Sequence, residues 1–140
     1  MILYLDMVAD LLHYGHIAFI KKMYTDYNQP GDQIYIGVHN DAAVASYKRT
    51  PILTMEERIK VLEGCKYIDK IIPDAPLTVT DEYVKLHGID KIFIPNNRTS
   101  SENELMLSAM TNQSNVEIIT IAYTSEISTT AIIQRCKNHV

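Results

Sequence analysis

The chain alternates short apolar runs with longer amphipathic segments. Five runs are rich in β-branched and aromatic residues and carry few charges, namely Ile2–Val8, Gln33–His39, Tyr67–Pro73, Ile89–Pro95 and Val116–Ala122. Runs of this length and composition are typical of strands buried on both faces, as in parallel sheets. The pattern therefore predicts five strands.

The segments between these runs predict helices with recognisable ends. They are Leu11–Tyr27, Asn40–Ser46, a run to Lys66 that opens at Thr54, Thr80–His87, Ser101–Asn112 and Ala131–Lys137. Thr54 and Glu57 have the spacing of a capping box, and Gly88 follows the fourth helix where a helix commonly ends. Strands alternating with helices predict an α/β fold whose five-stranded, mostly parallel sheet is covered by helices on both faces.

Bulk composition narrows the class of protein. The 140 residues suit one domain, 1–140, with 46% hydrophobic and 21% charged residues. A formal net charge of −4 argues against a basic footprint for nucleic acid or a membrane surface. The N-terminus lacks a signal-peptide pattern, no apolar run is long enough to span a bilayer, and the two cysteines favour free thiols. We expect a cytoplasmic protein without a membrane segment.

The segment Asp10–His16 carries the strongest candidate chemistry. His13 and His16 stand three residues apart with Gly15 between them, where the first strand passes into the first helix. A helix N-terminus offers unpaired N–H groups to phosphate, and paired imidazoles can add hydrogen bonds to it. The alternatives are packing histidines, or a metal site for which no third ligand stands nearby. No metal-ligating residue is predicted.

Three further polar sites follow other strands. Lys48 and Arg49 suit phosphate recognition, although two basic residues are also common on a solvated surface. Arg58 stands in the first turn of a helix, where its charge opposes the dipole, so it needs an acid of the protein or a ligand phosphate. The hydroxyls of Ser128, Thr129 and Thr130 can cap a helix and also cradle phosphate.

Several motifs together resemble a known family. Asp10–His16 is similar to the HxGH signature of cytidylyltransferases, within the nucleotidyltransferase superfamily. Further blocks follow in family order at 37–41, 54–58, 67–69, 73–76 and 127–133. The similarity covers nearly the whole chain, and the ethanolamine-phosphate and choline-phosphate enzymes are the most similar. The resemblance implies a Rossmann-like, doubly wound fold and usually a homodimer. It also implies Mg²⁺ and the reaction of CTP with a phosphorylated alcohol to give a CDP-alcohol and pyrophosphate.

The resemblance also implies roles for individual residues. His13, His16 and Lys48 would be catalytic, with the histidines stabilising the triphosphate in the transition state and Lys48 contacting phosphates of both substrates. The remaining residues implied to bind nucleotide are Val8, Ala9, Asp10, Arg58, Ser128, Thr129 and Thr130. The mechanism would be in-line attack on the α-phosphorus, driven by positioning and charge stabilisation.

Asp6 bears on the acceptor. It matches an acid that faces the cationic amine in the choline- and ethanolamine-phosphate enzymes. A choline site would also use aromatic rings around its quaternary nitrogen, and this chain has Leu77 where relatives carry Trp or Tyr. The sequence therefore predicts phosphoethanolamine, with phosphocholine and glycerol 3-phosphate as alternatives.

Some positions depart from the family pattern. Met7 replaces a glycine, Ala9 an aromatic residue, Tyr123 an arginine and Glu126 a glycine, while Arg49 or Arg98 could restore charge. These departures leave two further interpretations open, a catalytically weakened nucleotide-binding module and an enzyme that uses another nucleotide such as ATP.

Overall fold

The computed structural model describes residues 1–108, 115–123 and 126–139. Its strands are β1 (Ile2–Met7), β2 (Gln33–Val38), β3 (Lys70–Ile72), β4 (Ile89–Pro95) and β5 (Glu117–Ile121). They form one sheet in the order β3-β2-β1-β4-β5, and all four neighbouring pairs are parallel. The predicted α/β class, the five strands and the parallel sheet are confirmed.

Helices connect the strands and cover both faces of the sheet. They are α1 (Tyr14–Tyr27), α2 (Asp41–Ala45), α3 (Met55–Leu62), α4 (Asp81–His87), α5 (Ser100–Leu107) and α6 (Thr129–Asn138). Side chains that alternate along β1 enter opposite cores, as expected for a strand buried on both faces. Leu3 and Leu5 pack with α1 and α3, whereas Tyr4 packs with α4 and α5. The core therefore has two layers, one on each side of the sheet.

Local chemistry fixes several helix ends as the sequence predicts. Thr54 and Glu57 form the expected capping box at the start of α3, and Ser128 caps α6 by accepting the N–H of Ala131. Gly88 follows α4 in the left-handed conformation, with φ of 65°, which glycine adopts without steric cost. Each of these signals involves residues only a few positions apart, so each can be predicted from the sequence.

Three boundaries differ from the prediction by three residues or more. Helix α1 begins at Tyr14 rather than Leu11, because Leu11 has a φ of 50° that a right-handed helix cannot contain. Strand β3 covers only Lys70–Ile72, because the Asp69 carboxylate accepts the Ile34 N–H at 2.8 Å just before it. Helix α3 ends at Leu62 instead of Lys66. The predicted end of α5 at Asn112 lies outside the described residues.

No helix in the described part of the chain combines the length and hydrophobicity needed to cross a bilayer. Both cysteines lie in the described ranges and are free, with Cys65 partly buried and Cys136 exposed.

Candidate active site

A cavity of about 460 Å³ opens at the carboxyl ends of β1 and β4. These two strands are neighbours in the sheet, yet the chain completes β2 and β3 on one side before β4 begins on the other. Open α/β sheets bind ligands at such a reversal of strand order. The cavity is therefore the candidate site, and it is lined by residues from the loops after β1, β2 and β4 and by α5.

The two histidines of the motif form a reciprocal cap at the start of α1. His13 Nδ1 accepts the Gly15 N–H at 3.1 Å, and His16 Nδ1 accepts the His13 N–H at 3.1 Å. Their ring centroids lie 3.9 Å apart. Since a nitrogen that accepts a hydrogen bond carries no proton, the neutral form of each ring has its proton on Nε2. The cap thus fixes both imidazoles as Nε2–H donors.

Both rings are disposed to stay neutral. Burial, together with the charge of His13, lowers the pKa of His16 to about 4 against the opposing effect of Asp10. Burial also lowers the pKa of His13. Nε2 of His13 is buried and has no hydrogen-bond partner among the described residues, while His16 lines the cavity. Because a buried donor without a partner is costly, a ligand oxygen at His13 Nε2 would be stabilising.

Gly15 makes the histidine cap possible. A Cβ at this position would lie 2.9 Å from His13 Cε1 and 3.1 Å from Ile127 Cγ2, closer than carbon atoms normally approach. The imidazole of His13 therefore lies against the bare backbone of Gly15. The close approach that the sequence predicts at this glycine is made by a side chain of the protein itself.

The turn between β1 and α1 lines the cavity and is bonded to the loop after α2. Val8, Ala9 and Asp10, which the resemblance implies to bind nucleotide, all line the cavity. The Asp10 carboxylate accepts the N–H groups of Ile52 and Leu53 at 2.8 and 2.9 Å, so its two oxygens are engaged by the protein. Asp10 accordingly fixes the loop after α2 against the turn.

Arg58 differs from its predicted role. It is fully buried and absent from the cavity wall, and its guanidinium donates to the carbonyl oxygens of Val8 at 2.6 Å and Leu53 at 3.2 Å. Its remaining partner is the Asp41 carboxylate at 2.7 Å. The sequence allows either an acid of the protein or a ligand phosphate as the anionic partner of Arg58, and in the structure the partner is the acid Asp41. Arg58 therefore positions the turn and does not itself reach the cavity.

The basic residues after α2 lie at the cavity. Lys48 and Arg49 both line it, and Arg49 donates to the Thr130 hydroxyl at 3.2 Å. Partial burial lowers the pKa of Lys48, and the charges of Arg49 and Arg98 lower it further against the effect of Glu102. Clustered cations that lack full hydration favour an anion in the cavity.

The three hydroxyls at the start of α6 have different partners. Thr129 lines the cavity and donates to the Asp10 carbonyl oxygen at 2.9 Å. Ser128 caps the helix, Thr130 accepts from Arg49, and both lie outside the cavity wall. Glu126 is exposed and also lies outside the wall, whereas Tyr123 lines it and donates its N–H to Asn96.

A second polar cluster surrounds Asp6, at the end of β1. The carboxylate lies 3.1 Å from Arg98 Nη2 and 3.8 Å from His39 Nε2, and all three side chains line the cavity. Burial alone would raise the pKa of Asp6, but His39 and Arg98 outweigh it and lower the pKa. Sequence reasoning assigned no role to His39 and no definite one to Arg98. His39 is the last residue of a predicted strand and Arg98 stands three residues after another, and this placement at strand ends is the signal that could have marked them.

The family resemblance implies a magnesium ion at this site. Within the described ranges there is no group of three or more His, Cys, Asp or Glu side chains placed to hold a metal ion. Mg²⁺ commonly binds through substrate phosphates with few protein ligands. The cavity therefore suits an ion carried in by a triphosphate.

Comparison with known proteins identifies one family and two kinds of related enzyme. A family model described as cytidylyltransferase-like matches residues 7–135. The chain is 34% identical to mouse ethanolamine-phosphate cytidylyltransferase over 61% of its own length, and 33% identical to FAD synthase of Thermococcus sibiricus over 91%. It spans 20% to 29% of the first three curated relatives but 86% of the FAD synthase.

A solved structure has the same fold. The lipopolysaccharide core biosynthesis protein of Thermoplasma volcanium aligns with a TM-score of 0.67 at 20% identity, covering 89% of this chain and 96% of that one. At this identity the likeness concerns the fold alone.

Proposed function

Since the chain belongs to the cytidylyltransferase-like family, we propose that it transfers the cytidylyl group of CTP to the phosphate of a small phosphorylated alcohol. The observation that carries this proposal is the histidine pair at the N-terminus of α1, whose Nε2–H groups are both fixed as donors. His16 lines the cavity, and His13, whose Nε2 is buried without a partner among the described residues, lies next to it outside the wall. Fixed donors and a helix N-terminus stabilise the charge that develops on a triphosphate during transfer.

The proposed step is an in-line displacement at phosphorus. An oxygen of the acceptor phosphate forms a bond to the α-phosphorus of CTP as the bond to the bridging oxygen breaks, and pyrophosphate leaves with that electron pair. His13 and His16 donate hydrogen bonds to the triphosphate, while Lys48 holds the two anionic substrates close together. Mg²⁺ bound to the triphosphate would neutralise part of its charge. Positioning and electrostatic stabilisation supply the rate.

Two acceptors of different charge are candidates. Phosphoethanolamine, which the sequence predicts from Asp6, is supported by the names of several relatives. Glycerol 3-phosphate offers a phosphate without an amine. Measurement of pyrophosphate release compares both acceptors, together with phosphocholine.

A second function is supported by the match to FAD synthase, which extends over nearly all of both chains. Formation of FAD joins an adenylyl group to FMN, so it has the same chemistry with another nucleotide and another phosphate monoester. The fixed histidines would serve a triphosphate of either base.

The deciding experiment is pyrophosphate release across a matrix of substrates. CTP, ATP, GTP and UTP are each combined with phosphoethanolamine, phosphocholine, glycerol 3-phosphate and FMN in the presence of Mg²⁺, with EDTA as the control. We expect release with CTP and a phosphorylated alcohol, abolished by EDTA. Release only with ATP and FMN would replace the proposal with FAD synthesis. Absence of release throughout, with CTP still raising the melting temperature, would favour the nucleotide-binding module.

A further inference from the structure

We propose that Arg98 determines acceptor specificity by taking the place beside Asp6 that a cationic group would need. The acceptor is then a phosphate monoester without an ammonium group. This inference rests on the proposed function and concerns the acceptor end of the same cavity.

Asp6 is a buried carboxylate whose charge is already balanced. Only 2% of the residue is exposed, and Oδ1 accepts a hydrogen bond from Arg98 Nη2 at 3.1 Å. A buried carboxylate is stable when a hydrogen-bonded cation pairs with it. An added ammonium group would find an acid that already has its counter-ion.

The other oxygen of Asp6 also faces a basic side chain. His39 Nδ1 lies 2.9 Å from the Ala75 carbonyl oxygen, which can only accept, so this nitrogen is the donor. The ring therefore turns Nε2 towards Asp6 Oδ2, 3.8 Å away. Both carboxylate oxygens thus have a nitrogen of the protein as neighbour, and His39 is itself buried.

The guanidinium of Arg98 can still bind an anion. Besides Asp6, its guanidinium contacts the Met106 sulfur, 2.9 Å from Nη1, and a thioether is a weak acceptor. Arg98 lines the cavity together with Lys48. An acceptor phosphate can therefore be held by these two cations, whereas an ammonium group beside Asp6 would be repelled by Arg98.

An aromatic side chain of the cavity wall is also next to a cation. Tyr47 lines the cavity, and Lys48 Nζ lies 5.2 Å from the centre of its ring. An aromatic face can bind an ammonium ligand when that face is free. Here the face already has a lysine, so Tyr47 adds nothing that would offset the repulsion by Arg98.

The test compares two acceptors that differ only in charge. Phosphoethanolamine and n-propyl phosphate have the same phosphate and nearly the same shape, but the second carries a methyl group in place of the ammonium. Calorimetric titration gives their affinities for the wild-type chain and for Arg98→Gln, Arg98→Lys and Arg49→Gln. Arg49 is the matched control, because it lines the same cavity and is bonded to Thr130 rather than to Asp6.

We expect the wild-type chain to bind n-propyl phosphate at least as tightly as phosphoethanolamine. Arg98→Gln should shift the ratio of affinities towards phosphoethanolamine by roughly tenfold or more, since it leaves the Asp6 charge unbalanced. Arg98→Lys, which keeps the cation, and Arg49→Gln should leave the ratio near its wild-type value.

Tighter wild-type binding of phosphoethanolamine would overturn the inference, as would a folded Arg98→Gln variant with an unchanged ratio. If circular dichroism shows that Arg98→Gln does not fold, the wild-type comparison alone decides. Binding of neither ester also overturns the inference. Ester binding without pyrophosphate release from any nucleotide contradicts the proposed function and leaves the charge preference of the cavity intact.

Discussion

Each histidine of the motif uses its two ring nitrogens differently. Nδ1 accepts a main-chain N–H and so fixes the start of α1, while Nε2 keeps its proton. In the proposed reaction only Nε2 meets the substrate. The structural and catalytic contributions of His16 can therefore be separated by substitution.

We expect His16→Asn to lower kcat/KM by about 10²- to 10³-fold, because the amide oxygen can still accept the His13 N–H while the donor towards the triphosphate is lost. The melting temperature should change little. His16→Ala should lose the same turnover and also about 1 kcal/mol of stability, because the cap is gone. His139→Asn, at the exposed end of α6, is the control. Wild-type kinetics in His16→Asn would exclude the catalytic role.

The lowered pKa of His16 predicts a loss of stability in acid. Burial holds this pKa at about 4 in the folded chain, against an ordinary value of 6.5. Between these values the unfolded chain binds a proton that the folded chain does not, so stability falls as the pH decreases from 6.5 towards 4. The loss attributable to His16 is at most about 3 kcal/mol. Urea unfolding at pH 7 and pH 4.5 should show a smaller difference for His16→Asn than for the wild type, and equal differences would contradict the prediction.

At the scale of elements, Arg58 joins three segments. From α3 it binds the turn after β1 through Val8, the loop before α3 through Leu53, and the first residue of α2 through Asp41. A single buried cation thus fixes the backbone that surrounds the cavity. It acts together with Asp10, whose carboxylate joins the same turn to the loop before α3.

Replacing Arg58 by methionine should lower the free energy of unfolding by about 2 to 6 kcal/mol, because it leaves the Val8 and Leu53 carbonyl oxygens without their buried donor. The exposed Lys60→Met on the same helix should cost less than about 0.5 kcal/mol. Chemical denaturation of both variants measures the difference. Similar losses for the two would mean that Arg58 does not hold these segments.

The elements also show which features the sequence can predict. The capping box of Thr54 and Glu57 and the glycine after α4 depend on neighbouring residues, so both were predicted correctly. The left-handed conformation of Ala9 and Leu11 was not predicted, because neither residue type favours it. The pairing of Arg58 with Val8 and of Arg98 with Asp6 joins residues 50 and 92 positions apart. Such contacts exist only once the sheet brings the strand ends together.

At the scale of the whole molecule, the fold brings three cations to one cavity, which Asp6, Asp10 and Glu102 also line. Lys48, Arg49 and Arg98 converge on the cavity, although the chain carries a formal net charge of −4. Net charge alone would argue against an anionic ligand. The sheet order nevertheless brings these three cations together, because loops from distant parts of the sequence meet at the carboxyl ends of β1 and β4.

The family resemblance predicts a homodimer, which is a property of the assembled molecule. Sedimentation equilibrium should then give twice the mass of one chain at micromolar concentration. Several large apolar side chains are exposed, among them Tyr14 at 55% and Ile52 at 57%, and association of copies would cover such surface. Replacing Tyr14 by serine tests whether this surface takes part. A single-chain mass for the wild type over the whole concentration range would contradict the prediction.

The histidine cap affects how the motif is conserved as the family evolves. Because His13 and His16 hold the first turn of α1 through Nδ1, a lineage that stops turning over substrate still gains by keeping both residues. Selection for a folded chain would preserve the motif after selection for catalysis had ended. In a distant relative such a pair of histidines is therefore evidence of the helix start as well as of the chemistry, and the groups that face Nε2 distinguish the two.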